Sequence, residues 1–219
     1  MESLDGDAGL VSRIEASLRR GIVRGELPDG SKLRQDHIAA AFGTTAAPVR
    51  EALRRLENAR LVISRPRRGV VVAPILPADA LEVAEMRAAL ECLALRLAMP
   101  NATHSDFVAA RIAITRVATT SNIEDWVREN RAFHLALYRP CARQRLLQTI
   151  EDLWLTSDRH LYRVWAGVDY HGTSDAQHRA IVAACEAGKF TAAAKLLSEH
   201  ILSAGRTLEQ LLAAASRAA

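Results

Sequence analysis

The first quarter of the chain alternates apolar and polar residues with the spacing of short helices. Apolar residues recur every four positions, at Leu10, Ile14, Leu18 and Ile22. This spacing places them on one face of a helix over residues 10–25. After the turn "LPDG", the stretch "QDHIAAAFG" predicts a second, short helix with Ile38, Ala41 and Phe42 facing inward. Thr45 can then cap a third helix, so that the last two helices form a helix-turn-helix.

The third predicted helix has two contrasting faces. One face is apolar and is formed by Val49, Ala52, Leu53 and Leu56. The opposite face is formed by Ala46, Ala47, Arg50, Arg54 and Glu57. An outer face with small side chains in the first turn and basic side chains further along is typical of a recognition helix. The first residues of such a helix approach base edges in the major groove. A solvated amphipathic helix has a similar pattern, so this helix alone leaves both interpretations open.

Two β-branched runs follow this helix and favour the DNA-binding interpretation. "LVIS" and "GVVVAP" have the length of strands, and the four residues "RPRR" between them predict a hairpin tip. The tip carries Arg65, Arg67 and Arg68, whose charges suit a minor groove or the phosphates. Gly69 beside it allows close approach of the backbone. The pattern therefore predicts a winged helix-turn-helix domain over residues 1–76.

The remaining two thirds of the chain show helical periodicity throughout. Capping-box spacing is found for Ser121 with Glu124 and for Ser174 with Gln177. Six helices are predicted, over residues 78–98, 103–119, 122–138, 143–166, 175–187 and 190–215. The predicted fold class is therefore mainly α, with the N-terminal winged helix-turn-helix followed by an all-α helical bundle over residues 77–219.

The excess positive charge is concentrated in the predicted winged region. The whole chain has 29 Lys and Arg against 25 Asp and Glu, and residues 30–68 contain nine basic side chains and three acidic ones. This local asymmetry favours a polyanion such as DNA, whereas a surface that is only solvated would spread its charge more evenly. The start "MESLDGDAGL" lacks a signal-peptide pattern, and no stretch reaches the about 18 apolar residues of a membrane span. We therefore expect a cytoplasmic protein that does not contact a membrane.

The stretch "GIVRGELPDGSKLRQDHIAAAFGTTAAPVREALRRLENARLVISRPRRGVVV" resembles the DNA-binding domain of GntR-family bacterial transcription regulators. The resemblance extends over nearly all of residues 10–74, and it implies that Arg50 and Arg34 contact DNA. Where the family usually has Ser-Arg, this chain has Thr45 and Ala46, so one usual operator contact is absent. Ala46 could instead meet a thymine methyl group, which predicts an operator that differs from the common family sequence.

Three histidines of the helical region are expected to lie close together. His178 is ten residues before Gly188, and His200 is twelve residues after it. Two antiparallel helices joined at this point would bring both rings to one level, about 15 to 18 Å from the turn. His134 lies one turn after Asn130 on another helix, so both side chains point from one face. Three imidazoles from three helices suit Zn, Ni, Mn or Fe, with positions left for water or a small anion.

Two alternatives remain for these histidines. Each can be an ordinary hydrogen-bonded structural residue, in which case the domain holds no metal. They can also belong to a metal-dependent enzyme with a nucleic-acid tether, but such an enzyme needs a general base beside the metal. Glu129 is predicted on a different face from His134, Asp175 is predicted at a helix start, and no "HExxH" signature is present. We therefore expect neither enzymatic activity nor catalytic residues.

The stretches "NRAFHLALY" and "SDAQHRAIVAACEAGKFTAAAKLLSEHI" resemble the two signatures of the FCD ligand-binding domain of the FadR subfamily, and six helices suggest its shorter, VanR-like branch. The resemblance implies that three His, with an Asp four residues before the first, hold a divalent metal in an effector pocket. This chain has Asn130 in place of that Asp. A neutral amide is a weaker ligand than a carboxylate, so we expect weaker metal binding or a ligand set reduced to the three His. The lost negative charge favours an anionic effector.

The resemblance also implies how the effector is held and what it controls. Arg87 matches an arginine that the family directs into the pocket. Arg159 and Arg163 are candidates for a carboxylate clamp, because guanidinium pairs with carboxylate in a bidentate fashion; the alternative is a solvated arginine stripe. We expect a homodimer that represses transcription from a palindromic operator. A small carboxylate would favour one placement of the two domains and so change DNA binding.

Overall fold

The computed structural model describes residues 2–165 and 171–218. The chain divides into two units, one ending at Ile75 and the other beginning at Leu76, which is one residue before the predicted boundary. The described part of the first unit runs in the order α1 (Glu2–Val23), α2 (Gln35–Ala41), α3 (Ala46–Asn58), β1 (Val62–Arg65) and β2 (Gly69–Val72).

The core of the first unit is formed by α1, α3 and the hairpin. Three residues of the predicted α1 stripe are buried and Leu10 is partly buried. The predicted inner face of α3 is buried throughout, at Val49, Ala52, Leu53 and Leu56. Val62 and Val72 from the hairpin join the same cluster. Burial of each large aliphatic side chain contributes about 1.5 to 3 kcal/mol, so this core determines which face of α3 points to solvent.

Helix α2 turns a different alanine inward than its sequence predicts. Ala39 is buried, Ala41 is exposed, and Ile38 and Phe42 are partly buried. The helix ends at Ala41, and Gly43 (φ +61°) turns the chain away directly after it. The last residue of this short helix therefore faces solvent.

The wing is an antiparallel hairpin in which Arg65 pairs with Gly69. Arg65 therefore belongs to β1, and the tip contains residues 66–68, one fewer than the sequence predicts. Arg67 (φ +61°) and Gly69 (φ +77°) both adopt the left-handed conformation that closes this short loop. Arg67 takes this conformation although it is not a glycine.

The described part of the second unit is helical. It runs in the order α4 (Pro77–Ala98), α5 (His104–Thr119), α6 (Ile123–Tyr138), α7 (Gln144–Val164), α8 (His171–Glu186) and α9 (Phe190–Ala218), with short 3₁₀ turns at Met99–Asn101 and Arg139–Cys141. These elements confirm the mainly α fold class and the six helices predicted. The predicted end of the fourth of them, residue 166, lies outside the described residues.

In two of these helices the predicted capping residue is not the N-cap. Asn122 caps α6, because its Oδ1 accepts a hydrogen bond from the backbone N–H of Asp125 at 2.8 Å. Ser121, the predicted cap, lies one residue too early. Helix α8 begins at His171, so Ser174 lies within its first turn and does not precede the helix.

The helices of the second unit share one apolar core. Its large buried side chains include Leu95, Phe133, Leu137, Ile150, Ile181, Leu197 and Ile201. Helices α4 and α9 approach closely at small residues, since a Cβ added to Gly205 would lie 2.3 Å from Cβ of Ala84. This packing determines which sides of the helices face the core, and so where the polar side chains on those sides lie. Within the described residues, no helix has both the length and the apolarity needed to cross a bilayer.

Candidate functional site

The first candidate site is the exposed face of α3. Arg50 and Arg54 are exposed on the side opposite the core. Ala46 is partly buried in the first turn, after Thr45 at the N-cap position. The helix therefore presents small side chains at its start and guanidinium groups further along. Such a face can approach base edges and place positive charge near phosphates.

The arginines predicted to contact DNA differ in whether a carboxylate of the same chain holds them. Arg54 donates hydrogen bonds to Glu51 at 2.9 and 2.8 Å. Arg34 donates to Asp36 at 3.3 and 2.7 Å. These hydrogen bonds are the main reason why the pKa values of Glu51 and Asp36 both fall to about 2. Arg50, by contrast, forms no ion pair within the described part of the chain.

The wing provides a second basic surface. Among the described residues, three exposed arginines of the wing have no ion-pair partner, namely Arg65, Arg67 and Arg68. Lys32 lies beside them, because it forms a β-bridge with Val71, and its Cε would be 3.7 Å from a Cβ added to Gly69. Sequence reasoning missed Lys32, since its position at the wing depends on a contact between distant segments.

The second candidate site is formed by three histidines from three helices. His134 on α6, His178 on α8 and His200 on α9 are 1%, 0% and 8% exposed. One ring nitrogen from each lies within 4.8 Å of the others. Gly188 (φ +69°) turns the chain between α8 and α9, and Nε2 of His178 is 3.2 Å from Nε2 of His200. Two nitrogens bound to one tetrahedral metal at about 2.0 to 2.1 Å would be about 3.3 to 3.4 Å apart, which is close to this separation.

In two of the three rings, Nδ1 lies within hydrogen-bonding distance of a neighbouring side chain. Nδ1 of His134 is 3.0 Å from the hydroxyl of Tyr138, and Nδ1 of His200 is 2.7 Å from Oε1 of Gln177. In the three histidines and Asn130, the buried polar atoms without a hydrogen-bond partner among the described residues are Nε2 of His134, Nδ1 of His178 and Oδ1 of Asn130. Buried polar atoms without a partner are rare. The ring nitrogen of His134 and the amide oxygen of Asn130 are therefore suitable donors for a metal ion.

Burial keeps the three imidazoles neutral. It lowers the pKa values of His134 and His178 well below the ordinary value for histidine. It lowers the pKa of His200 to about 4, with a further contribution from the charge of Arg87. A neutral imidazole has one nitrogen with a free lone pair, which is the form that binds metals. Three such rings and one amide oxygen fit a divalent transition metal.

A cavity of about 50 Å³ lies beside the histidines. Asn130, His134 and His200 line one part of it, and Arg87 and Arg131 line another. The other polar and aromatic residues of the lining are Trp126, Trp154, Ser157, Asp158 and Ser174. At about 10 to 15 Å³ for each enclosed water position, the cavity has room for a few water-sized groups. It therefore suits a small anion better than a large ligand.

Beside the cavity, the buried side chain of Glu91 connects α4, α6 and α7. It accepts hydrogen bonds from Nε of Arg87 (2.7 Å), Nε1 of Trp154 (2.9 Å) and the hydroxyl of Tyr138 (2.8 Å). Arg87 also donates to the hydroxyl of Ser157 at 2.9 Å. The buried charge of Glu91 is thus paired and fully hydrogen-bonded. Sequence reasoning missed Glu91, although its spacing of four residues from Arg87 is a detectable signal.

The arginines that line the cavity differ from the pair predicted on α7. Arg159 is buried and Arg163 is exposed, and neither is among the described residues of the lining. Helix α7 contributes residues spaced three or four apart, namely Trp154, Ser157, Asp158 and Leu161. Positions 159 and 163 lie on other sides of the helix. Arg131 of α6 lines the cavity instead and forms an ion pair with Asp158.

The two carboxylates considered as general bases are engaged elsewhere. Glu129 pairs with Arg128 at 3.0 Å and with Arg116 at 3.7 Å. Asp175 pairs with Arg179 at 2.8 Å. Neither carboxylate is among the described residues that line the cavity.

Comparison with known proteins gives results for both units. Residues 10–72 match the bacterial regulatory proteins of the gntR family, and residues 82–203 match the FCD domain. The chain is 26% identical to the HTH-type transcriptional repressor GlaR of Escherichia coli (strain K12), covering 90% of this chain and 94% of the relative. It is 30% identical to the probable D-xylose utilization operon transcriptional repressor of Paenarthrobacter nicotinovorans, covering 88% of this chain and 85% of the relative.

A solved structure also resembles this chain. It is the crystal structure of a GntR-family transcriptional regulator from Pseudomonas syringae pv. tomato str. DC3000, with 31% sequence identity and a TM-score of 0.62. The similarity covers 95% of this chain and 88% of the other.

Proposed function

Because the chain belongs to the gntR family of bacterial regulatory proteins and carries an FCD domain, it is a DNA-binding transcription regulator, and we propose that it represses transcription in response to a small organic acid. Its relatives and its fold are those of transcription regulators and not of enzymes. In this proposal the winged unit binds the operator and the helical unit binds the effector. The protein would act in the bacterial cytoplasm, where the operator DNA lies.

The winged unit is proposed to insert α3 into the major groove and to place the wing against the minor groove or the phosphates. Arg50 supports this assignment, because it is exposed and no carboxylate among the described residues competes for it. Ala46 would offer a methyl group to a thymine. Lys32 would add to the charge of the wing. Two such units in a homodimer would read a palindromic operator with half-sites about 34 to 36 Å apart.

The helical unit is proposed to hold a divalent transition metal, Zn, Ni, Mn or Fe, on its three histidines, with Asn130 as a weaker fourth donor. The observation that carries this proposal is the meeting of three buried imidazoles beside a cavity lined by two arginines. When bound, such an ion supplies positive charge and open positions for the oxygen atoms of an anion. Arg87 and Arg131, rather than the predicted Arg159 and Arg163, would add the guanidinium groups that attract a carboxylate.

Effector binding is proposed to shift an equilibrium between two states of the dimer that differ in affinity for DNA. A ligand can shift this equilibrium only by binding one state more tightly than the other. Coupling free energies between two sites are typically about 1 to 3 kcal/mol. An effector of this kind would change operator affinity by roughly 5- to 150-fold.

Elemental analysis tests the metal site. The wild-type protein, loaded with Zn²⁺ or Ni²⁺ and desalted, should retain metal, and the double variant His178→Ala/His200→Ala should not. A matched control is His37→Ala/His104→Ala, which removes two exposed histidines and should retain metal like the wild type. Equal metal content in the wild type and the His178/His200 variant would favour a regulator with no metal in its effector pocket.

Operator binding is tested with double-stranded DNA from the region upstream of the gene and its neighbours. A specific complex should form in a gel shift and should weaken steeply between low and moderate salt. Small carboxylates selected by thermal shift should change its affinity. Binding that shows no preference over bulk genomic competitor would overturn the regulatory proposal.

A further inference from the structure

We propose that Tyr138 and Gln177 are positioning residues that fix the tautomers of His134 and His200, so that each ring keeps an unprotonated Nε2 for the metal. Glu91 accepts the hydrogen bond of the Tyr138 hydroxyl and so fixes the direction in which that hydroxyl donates. The inference rests on the metal-holding role proposed above, but the tautomers themselves can be measured with no metal present.

The arrangement at His134 starts from the carboxylate of Glu91. The hydroxyl of Tyr138 donates to Oε2 of Glu91 at 2.8 Å. A phenolic hydroxyl is protonated at neutral pH, so it has one proton to donate. Since that proton is donated to Glu91, the phenolic oxygen can only accept from Nδ1 of His134, 3.0 Å away. The proton of the neutral ring is therefore on Nδ1, and Nε2 keeps its lone pair.

Gln177 has the corresponding role at His200. Its Oε1 lies 2.7 Å from Nδ1 of His200, and an amide oxygen can only accept. The ring proton of His200 is therefore also on Nδ1. Carboxylate, carbonyl and similar partners of this kind set the tautomer and the orientation of metal-binding histidines in other proteins.

His178 differs from the other two rings. Its Nδ1 is buried and has no hydrogen-bond partner among the described residues. Its Nε2 lies 3.2 Å from Nε2 of His200, which must accept because its proton is on Nδ1. The ring proton of His178 is therefore on Nε2, toward His200. To bind a metal through Nε2, His178 must lose this proton and take one up on Nδ1, so its charge does not change. His134 and His200 therefore already have the tautomer that binds a metal through Nε2, whereas His178 must change its tautomer.

Nuclear magnetic resonance of the full-length, ¹⁵N-labelled protein tests this assignment after treatment with a chelator. Long-range proton–nitrogen spectra distinguish a proton on Nδ1 from one on Nε2. We expect the Nδ1–H form for His134 and His200 and the Nε2–H form for His178. An Nε2–H form at His134 or His200 would overturn the inference.

Two substitutions test the positioning residues directly. Tyr138→Phe and Gln177→Leu should each abolish the pure Nδ1–H form of the adjacent histidine and weaken binding of Zn²⁺ or Ni²⁺ by about 10- to 100-fold, measured by competition with a chromophoric chelator. Gln177→Glu, which keeps an accepting oxygen, should preserve the Nδ1–H form at His200. Gln148→Leu, at an exposed position on α7, is the matched control and should alter neither property.

The outcomes separate this inference from the proposed metal site. Unchanged tautomers and unchanged metal affinity in Gln177→Leu, a substitution at a partly exposed residue, would refute the positioning role even if Tyr138→Phe does not fold. Wild-type protein that shows the expected tautomers but binds neither ion would instead refute the metal-holding part of the proposed function.

Discussion

Arg50 and Arg54 lie one turn apart on α3, but only Arg54 is held by a carboxylate of its own helix. Arg50→Ala should lower affinity for the specific operator by about tenfold or more, since a base contact contributes about 1 to 3 kcal/mol. Arg54→Ala should have a smaller effect, because Glu51 already offsets its charge. Fluorescence anisotropy with labelled operator measures both, with circular dichroism to check folding. Equal losses would show that Glu51 releases Arg54 when DNA binds.

Asn130 contributes to the cavity a buried amide oxygen that has no hydrogen-bond partner in the described part of the chain. Asn130→Asp should raise the affinity for Zn²⁺ or Ni²⁺ by about tenfold, because a carboxylate is a stronger donor than an amide. It should also weaken binding of an anionic effector, since it removes one unit of net positive charge. Chelator competition measures the first effect and isothermal titration calorimetry the second. Asn58→Asp, on an exposed residue of α3, should change neither, and an unchanged metal affinity in Asn130→Asp would exclude this residue from the ligand set.

Asp158 makes stability dependent on pH. Burial raises its pKa from the ordinary 3.8 to about 6, although Arg131 and Arg87 oppose the rise. The folded state therefore holds this proton more tightly than the unfolded state, and protonation of Asp158 stabilises the fold. This stabilisation is fully present below about pH 4 and is lost as pH rises through about 6. The free energy of unfolding of the wild type, relative to Asp158→Asn, should fall by about 1 to 3 kcal/mol across this window. Urea unfolding at several pH values measures it, and parallel curves for the two proteins would contradict the shift.

At the level of elements, the contact between α4 and α9 depends on the absence of a side chain at Gly205. A Cβ there would lie 2.3 Å from Cβ of Ala84 and 3.3 Å from the backbone oxygen of Ala80. Gly205→Ala should therefore lower the free energy of unfolding by about 1 to 3 kcal/mol through overpacking, even though alanine has the higher helix propensity. Thermal unfolding followed by circular dichroism measures this. Gly9→Ala, on α1 with open space around the added Cβ, should be neutral or stabilising, and the same result at Gly205 would show that the two helices can move apart.

At the level of the whole molecule, charge is divided unequally along the chain, with the basic excess in the winged unit. Operator affinity should fall linearly on a logarithmic salt scale, with a slope of about −0.9 for each phosphate contacted. Arg67→Ala/Arg68→Ala should make this slope shallower by about two, because each phosphate contact contributes about one. Affinity measured over a series of salt concentrations gives both slopes. Identical slopes would show that the tip of the wing does not touch phosphates.

The elements, their order and most of their buried faces follow from the sequence alone, and the inner face of α2 is the exception. The stripes of α1 and α3, the hairpin and the six helices of the second unit follow from periodicity and turn residues, which are local properties of the chain. His178 and His200 were predicted together because both are counted from the same turn. The exact helix starts were missed where a neighbouring residue made the better cap, as with Asn122 in place of Ser121.

Which polar groups meet, and which are already paired, follows from the packing of distant segments and not from local sequence. The partners of Glu91 come from three helices, Lys32 reaches the wing through a long-range bridge, and Arg131 lines the cavity where Arg159 and Arg163 do not. Periodicity states which side of a helix is buried, but it does not state which other helix covers that side or in what register. The physical reason is that these contacts depend on the packing of side chains from segments far apart in the chain, and no local pattern encodes that packing.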